Sequence, residues 1–243
     1  MQRWFASDVH LDDGAEHELR TAAFLGWLRR AARSADEIYL LGDLFEMWIG
    51  DDDDAPLARR ARAALSEASA TARISFLVGN RDFLVGDTFA RGTGIELLGD
   101  VARLEDGTLV CHGDTLCTDD AAYQQLRTVL HSPEWRRETL AKPIAERRAM
   151  GDALRAASRE ANAFKADNIM DVNAATVSTT CATHAVRVLV HGHTHRPGIE
   201  RSSDWDRYTL GAWERCGWWL ESEQRGTEQT WRLRCAPLAL LAE

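Results

Sequence analysis

Five polar clusters stand in order along the chain: Asp8-Val9-His10, Gly42-Asp43 within GDLFE, Gly79-Asn80-Arg81-Asp82, His112-Gly113-Asp114, and Gly192-His193-Thr194-His195. Their donors are carboxylate and amide oxygens and imidazole nitrogens, a set that suits Mn²⁺, Fe or Zn²⁺ and contains no thiolate. Glycines beside the donors let the backbone turn tightly there. The candidate ligands Asp8, His10, Asp43, Asn80, His112, His193 and His195 are too many for one ion. Two ions that share a bridging carboxylate, with waters in the remaining positions, would use them all. Such a pair, about 4 Å apart, clamps a phosphoryl group, lowers the pKa of a bound water and stabilises an in-line transition state. Taken singly, each of these residues is more often a hydrogen-bonded or solvent-facing side chain. It is their succession that points to chemistry.

The clusters follow short apolar runs: Trp4–Ala6, Ile38–Leu41, Ile74–Val78, Leu109–Cys111 and Val186–Val190. Runs this short, bounded by Gly and polar residues, predict buried strands. Between the first of them lie stretches rich in Ala, Leu and Arg, Glu16–Ser34 and Pro56–Ala70, which predict helices. Alternating strand and helix predicts an α/β sheet, and open α/β sheets hold ligands at the carboxyl ends of their strands. From about Thr118 to Asn168 no strand-like run occurs, which predicts a helical insertion capping one domain that spans residues 1–243. Within it Met150, Leu154, Ala157, Ala161 and Phe164 form an apolar stripe at helical spacing, either a packing face or the wall of a groove for an apolar ligand. Arg155, Ser158, Asn162 and Lys165 recur on a neighbouring face, so one helix would present Ser158, Asn162 and Lys165 together. After Pro197, alternation over Tyr208–Trp213, Trp218–Glu221 and Thr230–Cys235 predicts antiparallel strands that close the sheet.

Composition sets the outer limits. The chain has 243 residues, 29 Lys and Arg, 38 Asp and Glu, and a net charge of −9, which disfavours a nonspecific nucleic-acid binder. From Arg127 to Lys165, however, nine Lys and Arg face five Asp and Glu, a basic segment suited to an anionic substrate or membrane surface. Five widely spaced cysteines without a C-x-x-C pair predict free thiols of a reducing compartment, and no apolar run reaches transmembrane length. The run Asp51 to Asp54 reads as a solvated acidic face, and Trp135 as an interfacial contact of the cap. His191, two residues before His193, reads as a core or supporting histidine.

The ordered set D-x-H, G-D, G-N, H-G and G-H-x-H resembles the calcineurin-like metallophosphoesterases from Asp8 to His195. The longer motifs DVHL, GDLFEMWIGDD, GNRDFL, HGDTLCTDD, IMDVN and GHTHRP are similar to those of the UDP-2,3-diacylglucosamine hydrolases, pyrophosphatases of lipid A biosynthesis. The resemblance implies a sandwich of two mixed β-sheets flanked by helices, with the helical cap inserted. It implies two Mn²⁺ ions, one held by Asp8, His10, Asp43 and His195, the other by Asp43, Asn80, His112 and His193, with Asp43 as the bridge. Asn80, Arg81 and His112 would be catalytic; Asn80, Arg81, Asp120, Ser158, Asn162, Lys165 and His193 would touch substrate. The broader superfamily usually has His where this chain has Arg81. A guanidinium does not deprotonate but holds phosphate oxygens bidentately, so Arg81 is expected to meet transition-state charge.

The implied reaction is attack of a metal-activated water on the uridine-side phosphorus, giving UMP and 2,3-diacylglucosamine 1-phosphate. The implied setting is the cytoplasmic face of the inner membrane, touched peripherally, with no obligate protein partner and no nucleic acid. Rival expectations are a diesterase or pyrophosphatase for soluble nucleotides, and a metal-binding scaffold without turnover.

Overall fold

The computed structural model describes residues 1–163 and 171–243, with the side chains of residues 162 and 163 left out. The chain opens with β1 (Gln2–Ala6), α1 (Glu18–Ser34), β2 (Glu37–Leu41), α2 (Pro56–Ser69), β3 (Arg73–Leu77), α3 (Asp87–Thr93) and β4 (Glu96–Leu97). Strands β1 to β4 pair in parallel, each joined to the next through a helix. A second unit follows, with β5 (Val101–Arg103), β6 (Thr108–Cys111), β7 (Val188–His191), β8 (Gly198–Arg201) and β9 (Asp206–Thr209). Here β6, β7 and β9 are parallel while β5 and β8 run antiparallel at the edges. The final hairpin, β10 (Cys216–Arg225) with β11 (Glu228–Pro237), returns to the first sheet and pairs antiparallel with β1. The orders are β11-β10-β1-β2-β3-β4 and β5-β6-β7-β9-β8.

Side-chain alternation shows how the sheets stack. On β2, Ile38 and Leu40 join the cluster packed under α1 and α2, whereas Tyr39 and Leu41 join Val110 of β6 and Val190 of β7 in a separate one. On β6 and β7, Leu109 and Leu189 face the other way, into a third cluster with Val177 and Cys181. Because successive strand residues point to opposite faces, the middle cluster lies between two sheets and the other two lie under helices. The result is the two-sheet sandwich flanked by helices that the resemblance implied.

The expected closing strands therefore divide between two sheets, since β9 extends the second while the hairpin extends the first. Short β4, β5 and β8, and α3, carry too little pattern to stand out in the sequence. The cysteines are all free thiols, three of them buried.

The insertion is helical: α4 (Ala121–Leu130), α5 (Pro133–Leu140) and α6 (Ile144–Ala163) precede α7 (Ala174–Thr183), and α8 (Leu238–Leu241) ends the fold. The first two cap helices start at a side-chain cap. Asp120 accepts from Tyr123 N at the head of α4, and Ser132 accepts from Trp135 N before Pro133 opens α5. In the IMDVN segment Asn173 caps α7, accepting from Ala175 N and Thr176 N, and Asp171 pairs with Arg196 at 2.7 Å.

The acidic run proves to be an anchor for the cap. Asp51 accepts from Gly86 N and Phe89 N at the start of α3, Asp52 is gripped by both terminal nitrogens of Arg147, and Asp53 pairs with Arg148. Trp135 also departs from expectation, turning inward against the main core with its ring 5.8 Å from Phe83.

Arg147 is buried on α6 and donates to Ile49 O at 2.6 Å and Lys142 O at 2.9 Å besides Asp52. Because the Asp52 side chain is 60% exposed, the ion pair itself adds little, and the two carbonyls left without a donor dominate the loss. Arg147→Ala should lower stability by about 1–3 kcal/mol, with amide exchange quickening first in α5 and α6. Unchanged exchange in those helices would contradict this role.

Candidate metal centre

All the sequence-derived candidates up to His195, apart from the cap residues, converge at the carboxyl ends of the parallel strands. Asp8 and His10 follow β1, Asp43 follows β2, Asn80 and Arg81 follow β3, His112 follows β6, and His193 and His195 follow β7. Among the described residues, six non-glycine residues have positive φ, and five of them are Asp8, His10, Asp43, His193 and His195. Asp and His tolerate the left-handed region better than most residues, yet each such position costs about 1–3 kcal/mol. That cost is concentrated where side chains must turn inward from the strand ends.

Close backbone approach explains the glycines. A Cβ on Gly79 would lie 2.1 Å from Asp43 Oδ1, and one on Gly192 would lie 2.2 Å from Asp8 Oδ2. Backbone donors then fix the carboxylates: His193 N donates to Asp8 Oδ2 at 2.9 Å and Arg81 N to Asp43 Oδ1 at 2.8 Å. Below them the buried Asp82 accepts from Gly79 N and Leu44 N, both at 2.7 Å, locking the G-D and G-N turns together.

The side chains close into two adjoining groups. His195 Nε2 lies 3.3 Å and His10 Nε2 4.0 Å from Asp8 Oδ1, an oxygen that is buried and receives no well-aligned hydrogen bond. Asp43 points Oδ2 toward His10 Nε2 at 4.0 Å and Oδ1 toward His112 Nε2 at 3.7 Å. Asn80 Oδ1 lies 3.0 Å from His112 Nε2 and 2.9 Å from His193 Nδ1. The donor atoms of Asp8, His10 and His195 lie within 4.8 Å of one another, as do those of Asp8, Asp43 and His112.

The electrostatics favour cations. Burial opposes ionisation of Asp8, but His195, His112 and His10 outweigh it and hold the carboxyl well below its ordinary range. Burial raises Asp43, with Asp8 adding to the rise. His112 is pushed up to about 9 because Asp43, Asp8 and Asp114 overcome its burial, whereas burial and the neighbouring His112 take His193 down to about 3. A spot where two carboxylates stabilise positive charge, ringed by imidazoles and one amide oxygen, fits divalent metal ions.

Two supporting residues, Glu46 and Asp114, were given no role by sequence reasoning. Glu46 Oε2 lies 2.9 Å from His10 Nδ1, and its other oxygen lies 3.0 Å from the Arg155 guanidinium of α6. Although partly buried, Glu46 is held down to about 2, chiefly by His10. Its place in GDLFE, three residues after Asp43, was the available signal. Asp114 receives Tyr123 Oη–H at 2.7 Å and Arg127 Nε–H at 2.6 Å, tying α4 to the turn after β6. His191 is fully buried, with Nε2 3.2 Å from Thr209 Oγ1, so it supports the turn and stays outside the donor groups.

Residues 1–197 match the calcineurin-like phosphoesterase family. The UDP-2,3-diacylglucosamine hydrolase of Serratia proteamaculans is 44% identical over 221 residues, spanning 88% of this chain and 91% of that one. This chain belongs to that hydrolase family, within the calcineurin-like phosphoesterases. The hydrolase of Salmonella agona is 45% identical over 225 residues, covering 89% of this chain and 93% of its own. The family's fold extends to distant proteins: a Vps29 single mutant from Entamoeba histolytica aligns with a TM-score of 0.50 at 10% identity over 97% of each chain. The metal dependence expected of the family accords with the donor groups gathered here.

The cap residues are placed less uniformly. Ser158 of α6 lines the cavity beside Asn80, Arg81 and His193, and Asp120 caps α4. Asn162 lies in α6, but its side chain, like the whole of Lys165 and Phe164, falls outside the described residues.

Gly79→Ala should displace the Asp43 carboxylate and abolish stoichiometric uptake of divalent metal while far-UV circular dichroism stays near that of the parent. Normal metal content in the folded variant would refute the tight-approach argument.

Proposed function

We propose that this chain hydrolyses the pyrophosphate bond of UDP-2,3-diacylglucosamine to UMP and 2,3-diacylglucosamine 1-phosphate. The observation that carries the reading is an apolar chamber beneath the cap that runs into the metal centre. It measures about 110 Å³ and is walled by Trp48, Phe83, Leu84, Trp135, Met150 and Leu154 among others, with Asn80 and Arg81 at its edge. A wider cavity of about 470 Å³ shares Asn80, Arg81, Leu154 and Ser158 with it and reaches His10, Asp43, His193 and His195. The α6 stripe thus lines cavities, as an acyl-bearing substrate requires; a soluble nucleotide gains nothing from such walls. The names of the relatives agree with this substrate.

In this reading Asp8, His10, Asp43 and His195 would hold one Mn²⁺, and Asp43, Asn80, His112 and His193 would hold the other. When bound, the ions supply Lewis acidity and an activated water. Arg81 then presents its planar fork to phosphate oxygens, and its permanent charge meets the charge that develops as the lipid phosphate leaves. Glu46 holds His10 Nδ1, leaving Nε2 turned toward Asp8 and Asp43, where it would serve as a ligand, as carboxylates commonly arrange behind histidine ligands. Ser158, which with Tyr123 lines the wide cavity, would touch substrate there, and the family resemblance gives Asp120, Asn162 and Lys165 the same role.

Among the described residues no helix is long and apolar enough to cross a membrane. Contact with the cytoplasmic face of the inner membrane is assigned to the cap, where Val129 and Leu140 are exposed within the net basic segment and Leu126 just before it.

Incubation with Mn²⁺ and UDP-2,3-diacylglucosamine beside UDP-N-acetylglucosamine tests the reading through UMP release. Chelator-sensitive UMP from the acylated substrate alone is expected, and Asp43→Ala should lose most of the rate, on the order of 10³-fold or more. Equal release from both substrates would favour a soluble pyrophosphatase, and release from neither would leave a metal-binding scaffold. Glu46→Gln should weaken Mn²⁺ binding about 10–100-fold by calorimetry; unaltered affinity would show that Glu46 does not orient His10.

A further inference from the structure

A second pocket leaves the metal centre on the side away from α4 and α5. It measures about 260 Å³, shares His10, Arg81 and His195 with the wide cavity, and otherwise runs between the start of α1 and the loop at Ala212–Glu214. Its polarity is the reverse of the chamber's. Arg20, Arg81 and Arg155 line it, as do Asp12, Glu46 and Glu214, and no α4 or α5 side chain reaches it. Two of the guanidinium groups are braced: Arg20 donates to His10 O at 2.8 Å, and Arg155 lies 3.0 Å from Glu46. Yet Nε of Arg20, Arg81 and Arg155 is in each case buried without an acceptor. Three guanidinium groups gathered around one pocket, each of permanent charge, attract an incoming oxyanion. The opposite wall is also fixed, because Trp213 N donates to Asp8 O at 3.0 Å and so pins the Ala212–Glu214 loop beside the metal donors.

We propose that this pocket is the subsite for the nucleoside monophosphate half of the substrate, with Arg20 and Arg81 facing phosphate oxygens and the exposed Glu214 accepting hydrogen bonds from the ribose hydroxyls. The inference rests on the functional reading above and deepens it. An amphiphilic pyrophosphate must lay its acyl end and its nucleoside end on opposite sides of the reacting phosphorus. The apolar chamber accounts for the first. A pocket that mixes guanidinium donors with carboxylate acceptors suits the second, since a nucleoside offers both acceptors and donors while a bare anion offers only acceptors. Arg81, the one guanidinium shared by both pockets and the wide cavity, stands where the two halves join.

The test is the affinity of the Mn²⁺-loaded protein for UMP, inorganic phosphate and 2,3-diacylglucosamine 1-phosphate, measured by calorimetry for the parent, Arg20→Gln and Glu214→Ala. Both variants should bind UMP about tenfold more weakly and keep parental affinity for the lipid product. Glu214→Ala should also keep its affinity for inorganic phosphate, because that side chain reads the sugar. Glu214 lies on the surface, so this variant remains informative if Arg20→Gln fails to fold. The subsite is refuted if the parent does not bind UMP, if both variants bind it like the parent, or if UMP and lipid product weaken together. These affinities are independent of turnover: selective loss of UMP binding supports the subsite even if the acylated substrate is not hydrolysed, an outcome that would overturn only the functional reading.

Discussion

Two carboxylates buried side by side govern this structure. Asp8 and Asp43 sit at the ends of neighbouring parallel strands, shielded from water, and among the described residues their close ionic partners are histidines. Like charges in such a place are strongly unfavourable unless positive charge is drawn in. Much of the surrounding architecture serves that requirement. Parallel strands in both sheets deliver imidazoles from two directions, backbone N–H groups of Arg81 and His193 donate to the carboxylates, and the Asp82 cage keeps two turns in register. The left-handed conformations at five donors are tolerated because packing on both sides of each strand leaves the chain no alternative.

The cap depends on the same centre. Its helices bury few of their own side chains, so a chain of polar contacts holds them down: Arg147 with Asp52, Arg155 with Glu46, and Tyr123 and Arg127 with Asp114. Two of these contacts end on residues that touch the donors or their turns. Through Glu46 α6 touches His10, and through Asp114 α4 touches the turn that carries His112. The chamber walls and the metal donors form one connected set, with Arg81 and Ser158 lining both cavities.

What was legible in the sequence was whatever is encoded locally. Short apolar runs ending in Asp, Asn or His marked the strands and the donors at once, because strand identity and ligand identity are written in the same few residues. The cap's helical character was legible for a similar reason. Partnership between distant segments was not. Nothing in Trp218–Glu221 states that it pairs with β1 in place of β9, and nothing in Asp51–Asp54 shows that Arg147 and Arg148, nearly a hundred residues on, will claim its carboxylates. Glu46 was hidden likewise, since its role depends on an imidazole from another strand end and a guanidinium from the cap. Trp135 was misjudged because amphipathic rings suit an interface and a chamber wall equally well.

In the proposed arrangement these donors hold two ions with Asp43 shared between them. Anomalous diffraction at the manganese edge from crystals grown with Mn²⁺ measures it most directly. Two peaks about 4 Å apart are expected, one between Asp8, His10 and His195, the other between Asn80, His112 and His193, with Asp43 touching both. A single peak, or a pair that leaves Asp43 outside the coordination shell, would contradict it.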